Sequence, residues 1–281
     1  MPGDVLLMGA VAYDPKVVTI WEGFRAWFSE AGLPFDFVLY SNYERQVEDL
    51  VDGRLDAAWN SPLAWVRSVR LAAAAGRTVR SAVMRDTDQD LTSVVVVRAG
   101  SDIGAVADLA GRTVATGAVD SPQATLIPLS FLRAGGLGPD DVTVRRFDVG
   151  VGLHGDHIGG ERDAARALVA GEVDAACMID GNHLLFTQEG VLPSGATRVL
   201  AQTPVFDHCT MTLVDTAPAG LADRFVELLL SMSYGDPVVR PLLDLEGLRQ
   251  WREGRTSGFA PLTAAVEELS LIHISEPTRP Y

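Results

Sequence analysis

Lysine is nearly missing from this chain: Lys16 is the single one among 281 residues, and the formal charge is -14 at pH 7. So acidic a surface repels the phosphate backbone of nucleic acids and anionic lipid, and neither is an expected partner. Cysteine is scarce as well. Cys177 and Cys209 both lie in apolar strand-like runs, with no spacing for a zinc site or a disulfide framework, and they read as core thiols. No apolar run reaches the roughly 18 residues that a membrane span requires. The opening Met1-Pro-Gly-Asp4 passes into Val5-Leu6-Leu7-Met8 without the basic segment and cleavage site of an export signal, so no export address is expected in the chain as written. What is abundant is apolar: 47% of residues are hydrophobic against 21% charged, enough for one large or two medium globular domains.

The stretch Asp120-Ser121-Pro122-Gln123-Ala124-Thr125 is where a strand hands over to a helix. Pro122 suits the first helical position, where its missing N–H costs nothing, and Asp120 or Ser121 suits the cap before it. Amides of the first turn, from Gln123 and Ala124 onward, then face forward with the helix dipole behind them, a cradle for a small anion. An ordinary capped helix without ligand is the alternative.

Strand and helix patterns alternate through the chain. Residues 6–11 form a strand ending at Ala12-Tyr13-Asp14-Pro15, followed by a helix from about Val17 with Trp21, Phe24 and Phe28 at core-facing spacing. Phe35 to Tyr40 is a strand, Tyr43 to Val51 a helix, and Leu55 to Trp59 a strand halted by Asn60-Ser61-Pro62. Such β-α units predict parallel pairing, with ligands beyond the carboxyl ends of the strands, where Tyr13, Tyr43, Asn60 and Ser61 fall. Arg85-Asp-Thr-Asp-Gln-Asp90 is too short for a crossover helix and reads as a crossing between lobes. The pattern then restarts, with Pro128 expected to kink the helix after the cradle, and ends in helices at Leu221 to Met232 and Pro237 to Leu245. One lobe is expected over 1–90 plus 203–268 and the other over 91–202. Gly53-Arg-Leu-Asp56-Ala-Ala58 and Gly171-Glu-Val-Asp174-Ala-Ala176 repeat one frame in the two halves, as either a mark of internal symmetry or a common helix-to-strand joint. The tail from Leu269 resembles a translated sequencing adaptor, so 269–281 is set aside as non-native, His273 with it, and the natural C-terminus is expected to be missing.

The histidines His154, His157, His183 and His208 fall near predicted strand ends of the second lobe or in the return crossing, close to Asp156, Asp180 and Asp207. Separate loop and cap residues, hydrogen-bond donors to a ligand, and a metal or proton-transfer site all remain open for them. Their spacing fits no standard zinc pattern. Arg85, Arg145 and Arg146 are in reach of an anion, although arginine at a strand end is usually solvated. Gly150-Val-Gly152 opens no helix at dinucleotide spacing, and Ser61, Ser121 and Ser130 lack a nucleophile elbow.

The order of elements, the crossing near residue 90, Tyr43 opening a helix, the Leu55-to-Trp59 strand before a polar turn and the Asp120-to-Thr125 helix start together resemble the phosphate, phosphite and phosphonate binding proteins of ABC importers, over about Leu6 to Phe259. The resemblance implies the type II periplasmic-binding-protein fold: two α/β lobes, each a mixed, mostly parallel sheet flanked by helices, closing by a hinge over a small oxyanion in the cleft. It implies a tyrosine such as Tyr43 lining that cleft, phosphorus oxygens held by Ser121 through Thr125, and acidic residues at Asp180 and Asp207 for a ligand ammonium. Expected contacts are then Tyr13, Tyr43, Asn60 and Ser61 from the first lobe, and Ser121, Gln123, Ala124, Thr125, Asp180 and His183 from the second, with His157 and His208 closing over the ligand. Pro122 and Ala124 depart from the hydroxyl-rich helix start of that family, which shifts binding toward backbone amides and histidines. No catalytic residue, metal or cofactor is expected, and the partners implied are a membrane permease and an ATPase, with the chain a monomer. The location implied is periplasmic or cell-surface, while the chain as written leaves the cytoplasm open. A soluble enzyme of the same fold using the histidines, as in pyrimidine or menaquinone synthesis, and a metabolite-sensing domain are the rival readings.

Overall fold

The computed structural model describes residues 5–148 and 157–269. His154, Asp156 and the tail from residue 270 lie outside these, as does the side chain of His157. The chain forms two compact units: the first holds the residues up to Gln89 and Asp207–Phe259, the second Asp90–Phe206 and the helix that starts at Ala260. The expected third stretch, 203–268, is thereby divided at Phe259.

Three β-α units open the first: β1 (Leu6–Val11) with α1 (Lys16–Glu30), β2 (Phe35–Tyr40) with α2 (Tyr43–Val51), and β3 (Ala57–Asn60) with α3 (Pro62–Ala74). β4 (Val79–Arg85) follows, then a single 3-10 turn at Asp86–Asp88. At the passage to the second unit Asp90 takes φ +59°, the one described non-glycine residue in the left-handed region, which aspartate tolerates better than most. The second unit runs β5 (Ser93–Arg98), β6 (Thr113–Thr116), α4 (Ile127–Ala134), β7 (Thr143–Arg146), α5 (His157–Ala170), β8 (Ala175–Ile179), α6 (Asp180–Gln188) and β9 (Thr197–Gln202). The chain returns with β10 (Thr210–Val214), α7 (Ala219–Ser231), α8 (Arg240–Glu246) and β11 (Trp251–Glu253), and α9 (Ala260–Glu268) joins the second unit.

Each unit has one mixed sheet, in the order β11-β4-β10-β3-β1-β2 for the first and β7-β6-β8-β5-β9 for the second. β1 is parallel to β2 and β3, β6 is parallel to β7 and β8, and β10 and β5 run antiparallel to their neighbours in the two sheets. Trp21, Phe24 and Phe28 enter the first core as their spacing predicts, meeting Phe35, Phe225 and Trp251. Burial of each such ring contributes about 2 kcal/mol. Val94 to Val97 of β5 are all buried, so both faces of that strand are covered and its apolar run is unbroken.

The repeated Gly-x-Leu/Val-Asp-Ala-Ala frame performs the same task twice. Gly53 and Gly171 end helices at φ +74° and +77°, a conformation glycine reaches without strain. Leu55 and Val173 are buried. Asp56 Oδ2 then accepts the Leu7 amide at 2.9 Å, and Asp174 Oδ2 accepts the Thr113 amide at 2.9 Å. Each carboxylate ties the start of the neighbouring parallel strand to its own, which sets the register of β1 on β3 and of β6 on β8.

Candidate functional site

In the first unit, the strand ends carry a dense charged cluster. Arg85, at the end of β4, grips Asp88 with Nε to Oδ2 at 2.5 Å and Nη2 to Oδ1 at 3.0 Å. Its remaining Nη1 reaches the Glu246 carbonyl at 2.9 Å and the Glu246 carboxyl at 3.4 Å, and the guanidinium lies over the Trp59 ring. Arg85 is thus built into the fold and is not the solvated strand-end arginine the sequence suggests. His208 joins the cluster through Nδ1, 3.5 Å from Asp88 Oδ1 and 3.1 Å from Cys209 Sγ. Burial alone would lower the imidazole pKa, but Cys209 and then Asp88 outweigh it and hold it at about 10. Asp88 in turn is kept at about 2 against its burial, chiefly by Arg85.

Tyr13 and Tyr43 face this cluster. The Tyr13 phenol is raised to about 12, first by desolvation and then by Glu246 and Cys209, although the residue as a whole is 54% exposed. Tyr43 is raised in the same direction by burial, Cys209 and Tyr13. Both are neutral phenols at physiological pH, able to donate to an anion. Asn60 and Ser61 sit differently. Asn60 is fully buried, giving Nδ2 to Ser68 and Thr212 and receiving Gln46 Nε2. Ser61 caps α3, accepting the Ala64 amide. Asp207 is closed by a two-pronged contact from Arg255 at 2.7 and 2.6 Å.

In the second unit the turn Pro122–Leu126 is wound as a π-helix that runs on into α4. Pro128 is the cause: it offers no N–H to the Ala124 carbonyl, which takes the Gly117 amide instead at 3.3 Å. Ser121 is the cap, with Oγ accepting the Ala124 amide at 3.2 Å. Thr125 gives its hydroxyl to the Ala118 carbonyl at 2.7 Å. Thr125 and Leu126 amides both bond the Ser121 carbonyl, so within this turn Gln123 has the amide not engaged by these bonds. The hydroxyls expected to meet an anion are spent on holding the turn.

Beside it is a buried network that the sequence reading missed. Glu161, fully covered, accepts Gln123 Nε2 at 3.1 Å, the Ile179 amide at 3.0 Å and Asn182 Nδ2 at 2.8 Å. Among the side-chain atoms of this unit sealed from solvent with no hydrogen-bond partner among the described residues are Gln123 Oε1 and His183 Nε2. Desolvation lowers the His183 pKa, so the ring is neutral at physiological pH. Asp180, on the exposed start of α6, accepts the Thr92 hydroxyl at 2.8 Å. Of the second-unit candidates, Gln123 reaches Glu161, where it meets Asn182, a residue the sequence reading did not single out; Asp180 is held apart on Thr92, and the His157 side chain is outside the described residues. Glu161 carried no local signal, since a glutamate in a helix start reads as a cap.

Two α/β units of this topology, joined by chain passages on either side of β5 to β9, are those of the type II periplasmic binding proteins. Residues 9–264 match the family described as ABC transporter, phosphonate, periplasmic substrate-binding protein, and the chain belongs to that family. Its role is therefore that of a solute-binding component. Among solved structures it is similar to PhnD1 of Prochlorococcus marinus (MIT 9301) in complex with methylphosphonate, at 15% identity and TM-score 0.68, covering 96% of this chain and 99% of that one. It is similar also to XAC2383 of Xanthomonas citri bound to ATP, at 15% identity and TM-score 0.72 over 95% and 98% of the two chains. The aliphatic sulphonate binding protein SsuA of Escherichia coli shares 19% identity at TM-score 0.56, covering 99% and 95%. No curated protein sequence matches the chain.

Proposed function

We propose that this protein captures a small phosphorus oxyanion, of the phosphate, phosphite or phosphonate class, for an ABC importer with its permease and ATPase, outside the cytoplasmic membrane. The family match across residues 9–264 carries the reading. The chemistry of the candidate residues supports it: a protonated Tyr13 and Tyr43 in the first unit, and the Gln123 amide and an unpartnered buried His183 nitrogen in the second. A buried polar atom without a partner is the kind a ligand satisfies. Tyr13, Tyr43, Gln123 and His183 are proposed to touch the anion, while the Ala124 amide is spent on Ser121 and the His208 ring on Asp88 and Cys209; the side chain of His157, expected over the ligand, lies outside the described residues. Asn60, Ser61, Ser121, Thr125, Asp180 and Asp207, whose side chains are already bonded within the protein, position those contacts.

Calorimetry of the purified protein against phosphate, phosphite, methylphosphonate and aminoethylphosphonate tests the reading. Heat of binding and a raised melting temperature are expected for at least one of the four, and for that ligand His183→Ala or Tyr43→Phe weakens affinity by about tenfold, the worth of one hydrogen bond. Neither heat nor a melting shift for any of them would overturn it.

A further inference from the structure

Asp88, His208 and Cys209 of the first unit each offer one ligating atom, and the three atoms lie within 4.8 Å of one another. The His208 nitrogen stands 3.1 Å from the thiol sulfur and 3.5 Å from the carboxylate oxygen. A four-coordinate ion bound at about 2.0–2.3 Å to nitrogen, oxygen and sulfur sets neighbouring ligands roughly 3.5 Å apart. Two edges of such a shell are therefore already formed. We propose that these three side chains are a site for a divalent transition-metal ion of the zinc type, with the fourth position open to water or solute.

The surroundings fit that use. The His208 amide bonds the Asp88 carbonyl at 2.8 Å, so the two ligand-bearing segments are tied by backbone and the ligands are preset. Arg85 holds both oxygens of Asp88 and orients the carboxylate as an outer partner does, while each oxygen keeps a lone pair for the ion. A thiolate and Asp88 supply two negative charges that match the two of the ion. Thiolate, imidazole and carboxylate together suit zinc or cobalt better than the hard ions calcium and magnesium. A nucleophile relay does not fit, because one and the same ring nitrogen faces both the thiol and the carboxylate, where a relay needs the two nitrogens to face one each. The site stands on first-unit residues alone and does not depend on the oxyanion reading.

Full-length protein, kept reduced and stripped with a chelator, is titrated with Co²⁺ alone and followed by absorption. One equivalent is expected to give the intense visible bands of a four-coordinate ion and a near-ultraviolet sulfur-to-cobalt band, with Zn²⁺ displacing the colour. Cys209→Ser removes the ultraviolet band, Asp88→Asn and His208→Ala weaken binding at least about tenfold, and Arg85→Gln weakens it about tenfold as an outer partner. Zn²⁺ raises the melting temperature of the parent protein and leaves that of Cys209→Ser unmoved, which separates lost ligation from a misfolded variant. Absence of a cobalt spectrum in the parent protein, or an ultraviolet band that persists in Cys209→Ser, overturns the site. Oxyanion binding measured in the presence of chelator is read separately, so failure of either proposal leaves the other standing.

Discussion

Arg85 serves two carboxyl groups unequally, and the imbalance makes Glu246 the residue to watch. With Nε and Nη2 committed to Asp88, the Glu246 carboxyl receives from Arg85 a single contact at 3.4 Å. Burial pushes its pKa up to about 7; Arg85 and Lys16 pull down and Asp88 pushes up, with the Tyr13 and Tyr43 phenols neutral beside it. The unfolded chain releases this proton near the ordinary 4.5. Between those two values the folded state holds a proton that the unfolded state has lost, so stability falls as pH rises, by on the order of 3 kcal/mol at most. Urea midpoints taken from about pH 5 to about pH 6.5, below the range in which the raised His208 loses its proton, should decline for the parent protein and decline less in Glu246→Gln. An unchanged slope in the variant would assign the pH dependence elsewhere. Cys177 shows the contrasting fate of a buried group: desolvation, with Glu161 adding to it, lifts its thiol to about 12, and it remains an inert part of the core.

Secondary structure was legible where the period was strong. The alternating β-α units, the aromatic face of α1 and the change of helical winding before α4 follow from spacing and from Pro128. β11 was not legible, because three residues carry no period and its place depends on pairing with β4. α9 carries Leu262, Ala265 and Val266 at helical spacing, all buried, but it is only nine residues long and carries no distinct start signal. The repeated Gly-x-Leu/Val-Asp-Ala-Ala frame was visible as a pattern, but its purpose appears only when Leu7 and Thr113 lie beside it. Asp56→Ala or Asp174→Ala leaves a strand-start amide without its acceptor and should cost about 1–2 kcal/mol in each case, read from thermal or urea unfolding. A loss in one half and none in the other would contradict the shared role.

For the molecule as a whole, the net charge of -14 sets the long-range field that any ligand meets on approach. A dianionic phosphonate is repelled at distance, and salt screens that repulsion over about 10 Å near 0.1 M. The association rate of such a ligand should therefore rise with ionic strength from about 10 to about 150 mM, the reverse of electrostatic steering. Stopped-flow fluorescence, using the tryptophans, measures it. A rate that falls with salt would mean that Arg85 and the helix start dominate the approach.

Composition, period and turn chemistry were enough for the fold class, since burying alternating apolar strands and amphipathic helices leaves few arrangements, and the family resemblance rested on those same local features. They also marked Tyr13, Tyr43 and the Asp120–Thr125 turn as strand-end positions. They were silent on which hydroxyls in that turn are spent internally, because that depends on how the chain after β6 folds back over the turn to bring the Ala118 and Gly117 backbone groups onto it. Nor did they give the cluster of Arg85, Asp88, His208, Cys209 and Glu246. Its members come from separate regions of the chain, and only the antiparallel insertion of β10 beside β4 brings His208 and Cys209 against the end of that strand. Local pattern encodes which face of an element is buried; it does not encode which distant charge a buried side chain will meet there.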